Sequence, residues 1–214
     1  MKIDLIQTNP VIGDFSGNVF RMSRWISEAR DAGCHLAVFP ELSLSGYPPR
    51  DYLDHHAFLA AQDKALESLV NTNHGIAVLC GAISQHTGET GKPLHNSAVL
   101  CDKGKILFCS HKRLLPTYDV FDEVRYFEPG ESSRVISFKG LQLGITICED
   151  IFNDEESFPH PLYPDNPVAD LTDAGPVDLL INIAFCADII KIFTYIFQFV
   201  NYVMIKTSFF RVIL

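Results

Sequence analysis

The feature that most constrains the fold is the alternation of short apolar runs with amphipathic stretches over the first 85 residues. KIDLIQ at 2–7, HLAVFPE at 35–41 and GIAVLCGA at 75–82 are short and bounded by turn or polar residues, the signature of strands. Between them, residues 18–32 place Val19, Met22, Ile26 and Ala29 on one helical face, and residues 56–70 do the same with Phe58, Ala61, Ala65 and Leu69. This β-α-β-α-β order predicts an α/β domain. SAVLC and KILFCSHK around the turn Asp102-Lys103-Gly104 then form a hairpin that makes the sheet mixed. LQLGITIC at 141–148 and VDLLINIA at 177–184 supply further strands.

Two long stretches interrupt the pattern. Residues 113–133 contain Pro116 and the Pro129-Gly130 turn, and residues 153–176 contain Pro159, Pro161, Pro164, Pro167 and Pro176 among many acids. Structureless stretches of that length in a compact domain are usually binding loops. The acids Asp154, Glu155 and Glu156 read as a solvated loop, and His55 and His56 as a solvated helix start, because adjacent residues point to different helix faces and do not share a metal.

Composition bounds the class of partner. With 47% hydrophobic and 20% charged residues in 214, the chain can build one sizeable core, and its formal charge of −9 offers no basic footprint for nucleic acid or anionic membrane. Six scattered cysteines with no CxxC pair suit a reducing cytoplasm, and MKIDLIQTNP, with Asp4 inside its apolar run, reads as a strand and not as an export signal.

Three ionisable residues occupy equivalent places, each where an apolar strand pattern stops: Glu41 after LAVFP, Lys112 after ILFCSH and Cys148 after GITI. Carboxyl ends of strands are where α/β folds bind ligands. A cysteine attacks an amide carbonyl as thiolate and needs a base and a cation beside it. Glu41 can take the thiol proton, Lys112 can stabilise thiolate and oxyanion, and the backbone N–H of Glu149 can serve as a second oxyanion donor. Spacing alone also fits a Glu-Lys ion pair beside a packed cysteine, free cysteine being among the most buried residue types. Tyr47, Tyr118 and Phe121 read alone as loop anchors, and Glu149 with Asp150 as an acid pair at a helix N-terminus.

FPELSLSGYPPRDYL (39–53), HKRLLPTYDVFDEVRYFEPG (111–130) and GITICEDIF (144–152) together resemble the nitrilase superfamily of carbon-nitrogen hydrolases. The GYPPRD and LPTYDVFDEVRYFEPG phrases look most like its branch of glutaminase domains in glutamine-dependent NAD synthetases. The resemblance covers residues 1 to about 184 and implies an αββα sandwich with mixed sheets, incomplete at the C-terminus. It makes Glu41 the general base, Lys112 the oxyanion-stabilising lysine and Cys148 the nucleophile that forms a γ-glutamyl thioester. It makes Glu123 the second glutamate, which holds the lysine and positions substrate, and places Tyr47, Tyr118, Phe121 and Glu149 around L-glutamine. The glutaminase step would need no cofactor or metal, and the ammonia would amidate adenylylated nicotinic acid adenine dinucleotide in a synthetase domain using ATP and Mg. Full-length members of the branch would be homo-oligomers.

After LLINIA the family continues into a small-residue phrase ending in Ser-Pro and an aromatic, whereas this chain reads FCADIIKIFTYIFQFV from Phe185. Composition shifts there too: residues 189–214 hold 18 apolar residues in 26 and none of the chain's 26 acids. The expectation is a family domain at 1–184 and an apolar tail at 185–214 foreign to the fold, through a frame change or early end. The longest uncharged tail run, 14 residues from Ile192 to Ile205, falls short of the ~20 a spanning helix needs, so no membrane anchor is expected. No SGGxDS-type phosphate loop occurs, so the ATP-using domain is expected to be absent. Two other readings stand beside glutamine hydrolysis: a stand-alone carbon-nitrogen hydrolase or ω-amidase, and an inactive truncated remnant.

Overall fold

The computed structural model describes residues 1–72, 74–153 and 160–185, with the backbone of two further strands at 202–205 and 211–213. The strands read from the sequence are present as β1 (Ile3–Ile6), β2 (Leu36–Val38), β3 (Ala77–Gln85), β4 (Leu94–Asp102), β5 (Lys105–His111), β7 (Leu141–Ile147) and β8 (Leu179–Ile183). A strand that periodicity missed, β6 (Val135–Phe138), pairs antiparallel with β7. Lys139 and Gly140, at φ 48° and 81°, form its tight turn, a conformation that matches the twist of a hairpin.

Two mixed sheets result. The first runs β10-β1-β2-β3-β4-β5, with β1, β2 and β3 parallel and the β3-β4-β5 meander antiparallel; β10 is Arg211–Ile213. The second runs β6-β7-β8-β9, where β9 is Tyr202–Ile205. Their inner faces meet in one core, where Leu5, Val38, Leu79 and Leu100 face Leu143, Ile145, Ile147 and Ile181. Helices α1 (Phe15–Asp31) and α2 (His56–Asn71) cover the outer face of the first sheet, and α3 (Pro167–Asp173) packs on β7. The layering is the expected αββα sandwich.

The helical faces differ in detail from the periodicity. In α1 the buried set is Asn18, Met22, Ile26 and Ala29, with Val19 only half-buried. Asn18 is buried because its amide bridges Val11 and Leu44 backbone groups, satisfying its polar atoms as burial requires. In α2 Gln62 takes the central place expected for Ala61 and donates to the Ile83 carbonyl at 3.1 Å. The 153–176 stretch is not structureless: Asn166 caps α3 by accepting from the Ala169 N–H, with Pro167 at the first helical position where no N–H is needed.

Asp154, Glu155, Glu156 and most of 186–214 lie outside the described residues. The backbone of 202–205 runs parallel to β8 and that of 211–213 antiparallel to β1. No described helix is long and apolar enough to cross a membrane.

Candidate active site

Glu41 leaves the end of β2 on a segment that continues the ladder: the Phe39 N–H donates to Leu79 and the Gly81 N–H to Pro40. A Cβ at Gly81 would lie 2.1 Å from the Leu42 nitrogen, so only glycine lets the Glu41 segment cross β3 this closely. Lys112 directly follows β5, held by its N–H to the Asn96 carbonyl at 2.8 Å. Cys148 directly follows β7 at φ 46°, a left-handed conformation rare for a residue with a side chain, and opens a 3-10 turn over Cys148–Ile151.

That turn is fastened by Asp150. Its carboxylate accepts from the Arg113 and Leu114 N–H groups at 2.9 Å and from the Ile147 N–H at 3.0 Å. One buried side chain thus ties the Cys148 turn to the segment leaving Lys112. Burial pushes the Asp150 carboxyl up to about 6 against those three N–H donors.

The strand ends converge as the sequence implied. Lys112 Nζ donates to Glu41 Oε1 and to Glu123 Oε1, both at 2.8 Å, with all three side chains sealed from solvent. Tyr47 donates its hydroxyl to Glu123 Oε1 at 2.7 Å, and Asn96 Nδ2 donates to Glu41 Oε1 at 2.7 Å and to Glu123 Oε2 at 3.4 Å. Burial alone would lower the Lys112 pKa, but Glu123 and Glu41 together raise it well above the usual lysine value, so the ammonium persists. Burial, then Glu41, raises Glu123 despite the lysine. Burial, then Glu41, pushes the Cys148 thiol well above its ordinary value, with Lys112 pulling the other way. Burial therefore holds Cys148 as a thiol at neutral pH.

Around this centre Glu149, itself buried, accepts the hydroxyls of Tyr118 at 2.8 Å and Tyr163 at 2.9 Å. Phe121 lies between Tyr47 and Tyr118, with ring centroids 6.0 and 5.6 Å away. Every site residue named from the sequence therefore falls in one neighbourhood. Tyr118 is an exposed rim residue, whereas Tyr47 is a buried donor to Glu123 and not a loop anchor.

Four participants escaped sequence reasoning. Asn96 carried a signal, a polar residue inside a buried strand. Asp150 was read as part of an acid pair at a helix start, whereas it is a staple between two loops. Tyr163, in the proline-rich loop, is set by Asn153, which accepts the Tyr163 N–H and donates to the Tyr163 and Asp165 carbonyls. Phe185, assigned to the tail, donates its N–H to Glu41 Oε2 at 3.0 Å and stacks on Tyr47 at 4.8 Å.

Behind Lys112, on the opposite face of the first sheet, His86 meets His95 edge-on at a centroid distance of 4.8 Å, His95 stacks on His111 at 4.1 Å, and the three line a concavity of about 600 Å³. Burial, then His95, lowers the His111 imidazole to about 4.

A family model described as carbon-nitrogen hydrolase matches residues 2–162. The chain is 40% identical over 186 residues to the glutamine-dependent NAD(+) synthetase of Synechocystis sp., a match covering 85% of this chain and 33% of that protein. Among solved structures, a glutamine-dependent NAD+ synthetase from Acinetobacter baumannii aligns with a TM-score of 0.76 at 30% identity, over 89% of this chain and 33% of that one. An amidase from Nesterenkonia sp. shares the fold with a TM-score of 0.71 at 24% identity, over 92% of this chain and 69% of that one. The chain spans about a third of the length of the synthetase relatives it matches. From the extent of the family match and the carboxylate-lysine-cysteine centre it encloses, the chain belongs to the carbon-nitrogen hydrolase family.

Proposed function

We propose that this chain hydrolyses the side-chain amide of L-glutamine through a thioester on Cys148. The observation that carries this reading is the Lys112 ammonium bridged to both Glu41 and Glu123 beside a buried thiol. An ammonium has three N–H bonds, and two of those on Lys112 are committed to Glu41 and Glu123. The third is left for an oxyanion. In the first half-reaction Cys148 Sγ bonds to the amide carbon as its proton passes to Glu41, and the oxyanion forms against Lys112. Collapse breaks the C–N bond, and the proton on Glu41 leaves with nitrogen as ammonia. Water then adds to the thioester, losing a proton to Glu41, and glutamate departs as the thiol is restored. Besides substrate and water, these steps use only side chains of this protein, so the proposed reaction calls for no cofactor.

Glutamine is favoured over other ω-amides by the likeness to synthetases named as glutamine-dependent, and by Glu149, a buried carboxylate at the rim suited to a substrate ammonium. On this reading Tyr47, Tyr118 and Phe121 line the substrate and Glu123 orients Lys112. The ammonia would supply a synthetase domain that takes ATP and Mg, in a cytoplasmic homo-oligomer. Comparing ammonia release from L-glutamine and from ω-amides lacking the α-amino group tests the choice: equal or faster turnover of the latter would make the chain a general ω-amidase.

A further inference from the structure

Asn96 lies on β4, almost wholly buried, and its amide nitrogen faces two carboxylates at once: Glu41 Oε1 at 2.7 Å and Glu123 Oε2 at 3.4 Å. Its orientation is dictated, since both partners are acceptor-only when ionised and a flipped amide would set oxygen against oxygen. The arrangement leaves Asn96 Oδ1 buried without a hydrogen-bond partner, so the carboxylates alone determine which way the amide points.

The charges explain what the amide offsets. Glu41 and Glu123 share one ammonium, Lys112, in a sealed site, so two carboxyl groups sit against a single cation. The groups facing the pair are Lys112 at the end of β5, Tyr47 after β2, Cys148 after β7 and the Phe185 N–H after β8, with Glu149 beyond Cys148. Among these described neighbours, Asn96 is the uncharged donor that touches both carboxylates. We propose that Asn96 is a positioning residue that bridges Glu41 and Glu123 and keeps Glu41 aimed to receive the Cys148 proton. This role rests on the reading of Cys148 as nucleophile with Glu41 as its base.

The readout is the acid limb of Cys148 reactivity, which reports proton uptake by the carboxyl groups around it. Cys148 alkylation by iodoacetamide is followed against pH in the whole chain, in Cys148→Ala as blank, and in Asn96→Leu and Asn96→Asp, each beside its thermal melt. Asn96→Leu removes the donor, so the pair takes up a proton at higher pH and the limb moves up by about one pH unit. Asn96→Asp sets three carboxylates around one ammonium and moves the limb further in the same direction. Asn96→Ala, which removes the donor without adding bulk or charge, carries the expectation of Asn96→Leu if the others fold poorly. A uniform rate loss at every pH with the limb in place overturns the role and leaves Asn96 as packing. A wild-type chain with no acid limb overturns the nucleophile reading, and the role of Asn96 with it.

Discussion

Lys112 Nζ lies 2.8 Å from Glu41 and 2.8 Å from Glu123, one buried ammonium between two buried carboxylates that come from separate loops. Removing one partner of such a cluster leaves charge that is neither hydrated nor paired. Lys112→Met is therefore expected to destabilise the fold by about 3–5 kcal/mol in denaturant titration. Adding Glu123→Gln to that variant removes one stranded carboxylate, so the double variant should be more stable than Lys112→Met alone. A double variant that loses the sum of both single losses would contradict the shared-ammonium account.

Asp150 satisfies three backbone N–H groups with one side chain. Asp150→Ala strands all three donors in the interior, and an unsatisfied buried donor costs about 1–3 kcal/mol, so a loss of roughly 3 kcal/mol or more is expected. The Cys148 turn should loosen as well, visible as faster hydrogen exchange at residues 147–152 than in a core variant of equal stability. Equal exchange in the two would mean that Asp150 merely fills space.

His111 supplies a pH dependence with a definite sign. Its imidazole is lowered to about 4 in the fold, by burial and then by His95, from about 6.5 in an unfolded chain. Between those values the unfolded state binds a proton that the folded state refuses, so this contribution to stability falls as pH drops from about 6.5 to 4 and is constant below. The thermal midpoint of His111→Gln should therefore change less over that window than that of the wild-type chain. Identical slopes would remove His111 from the acid response.

Much of this architecture is written in local sequence. Strand runs that end before Glu41 and Cys148 are legible because β2 and most of β7 are buried and need apolar residues, whereas Lys112 follows a half-exposed β5 that already carries Ser110 and His111. The Glu123 partnership came only through the family phrases, since Glu123 lies 11 positions after Lys112 across irregular chain and no periodicity carries the return. Asn96 and Asp150 were harder, because their partners are set by how two sheets stack and not by spacing. β6 was missed for brevity: four residues with a serine among them give too short a pattern. Helix α3 was hidden by the surrounding prolines, although Asn166-Pro167 is itself a helix-start signal.

The central claim is that Cys148 carries the acyl group of glutamine with Glu41 as its base. The direct measurement is ammonia release from L-glutamine by the whole chain, with hydroxylamine present to capture the thioester as γ-glutamyl hydroxamate. The account predicts hydroxamate and ammonia from the wild-type chain, none from Cys148→Ala, and a fall of about 10²–10⁴ in Glu41→Gln. Ammonia release that survives Cys148→Ala would contradict it.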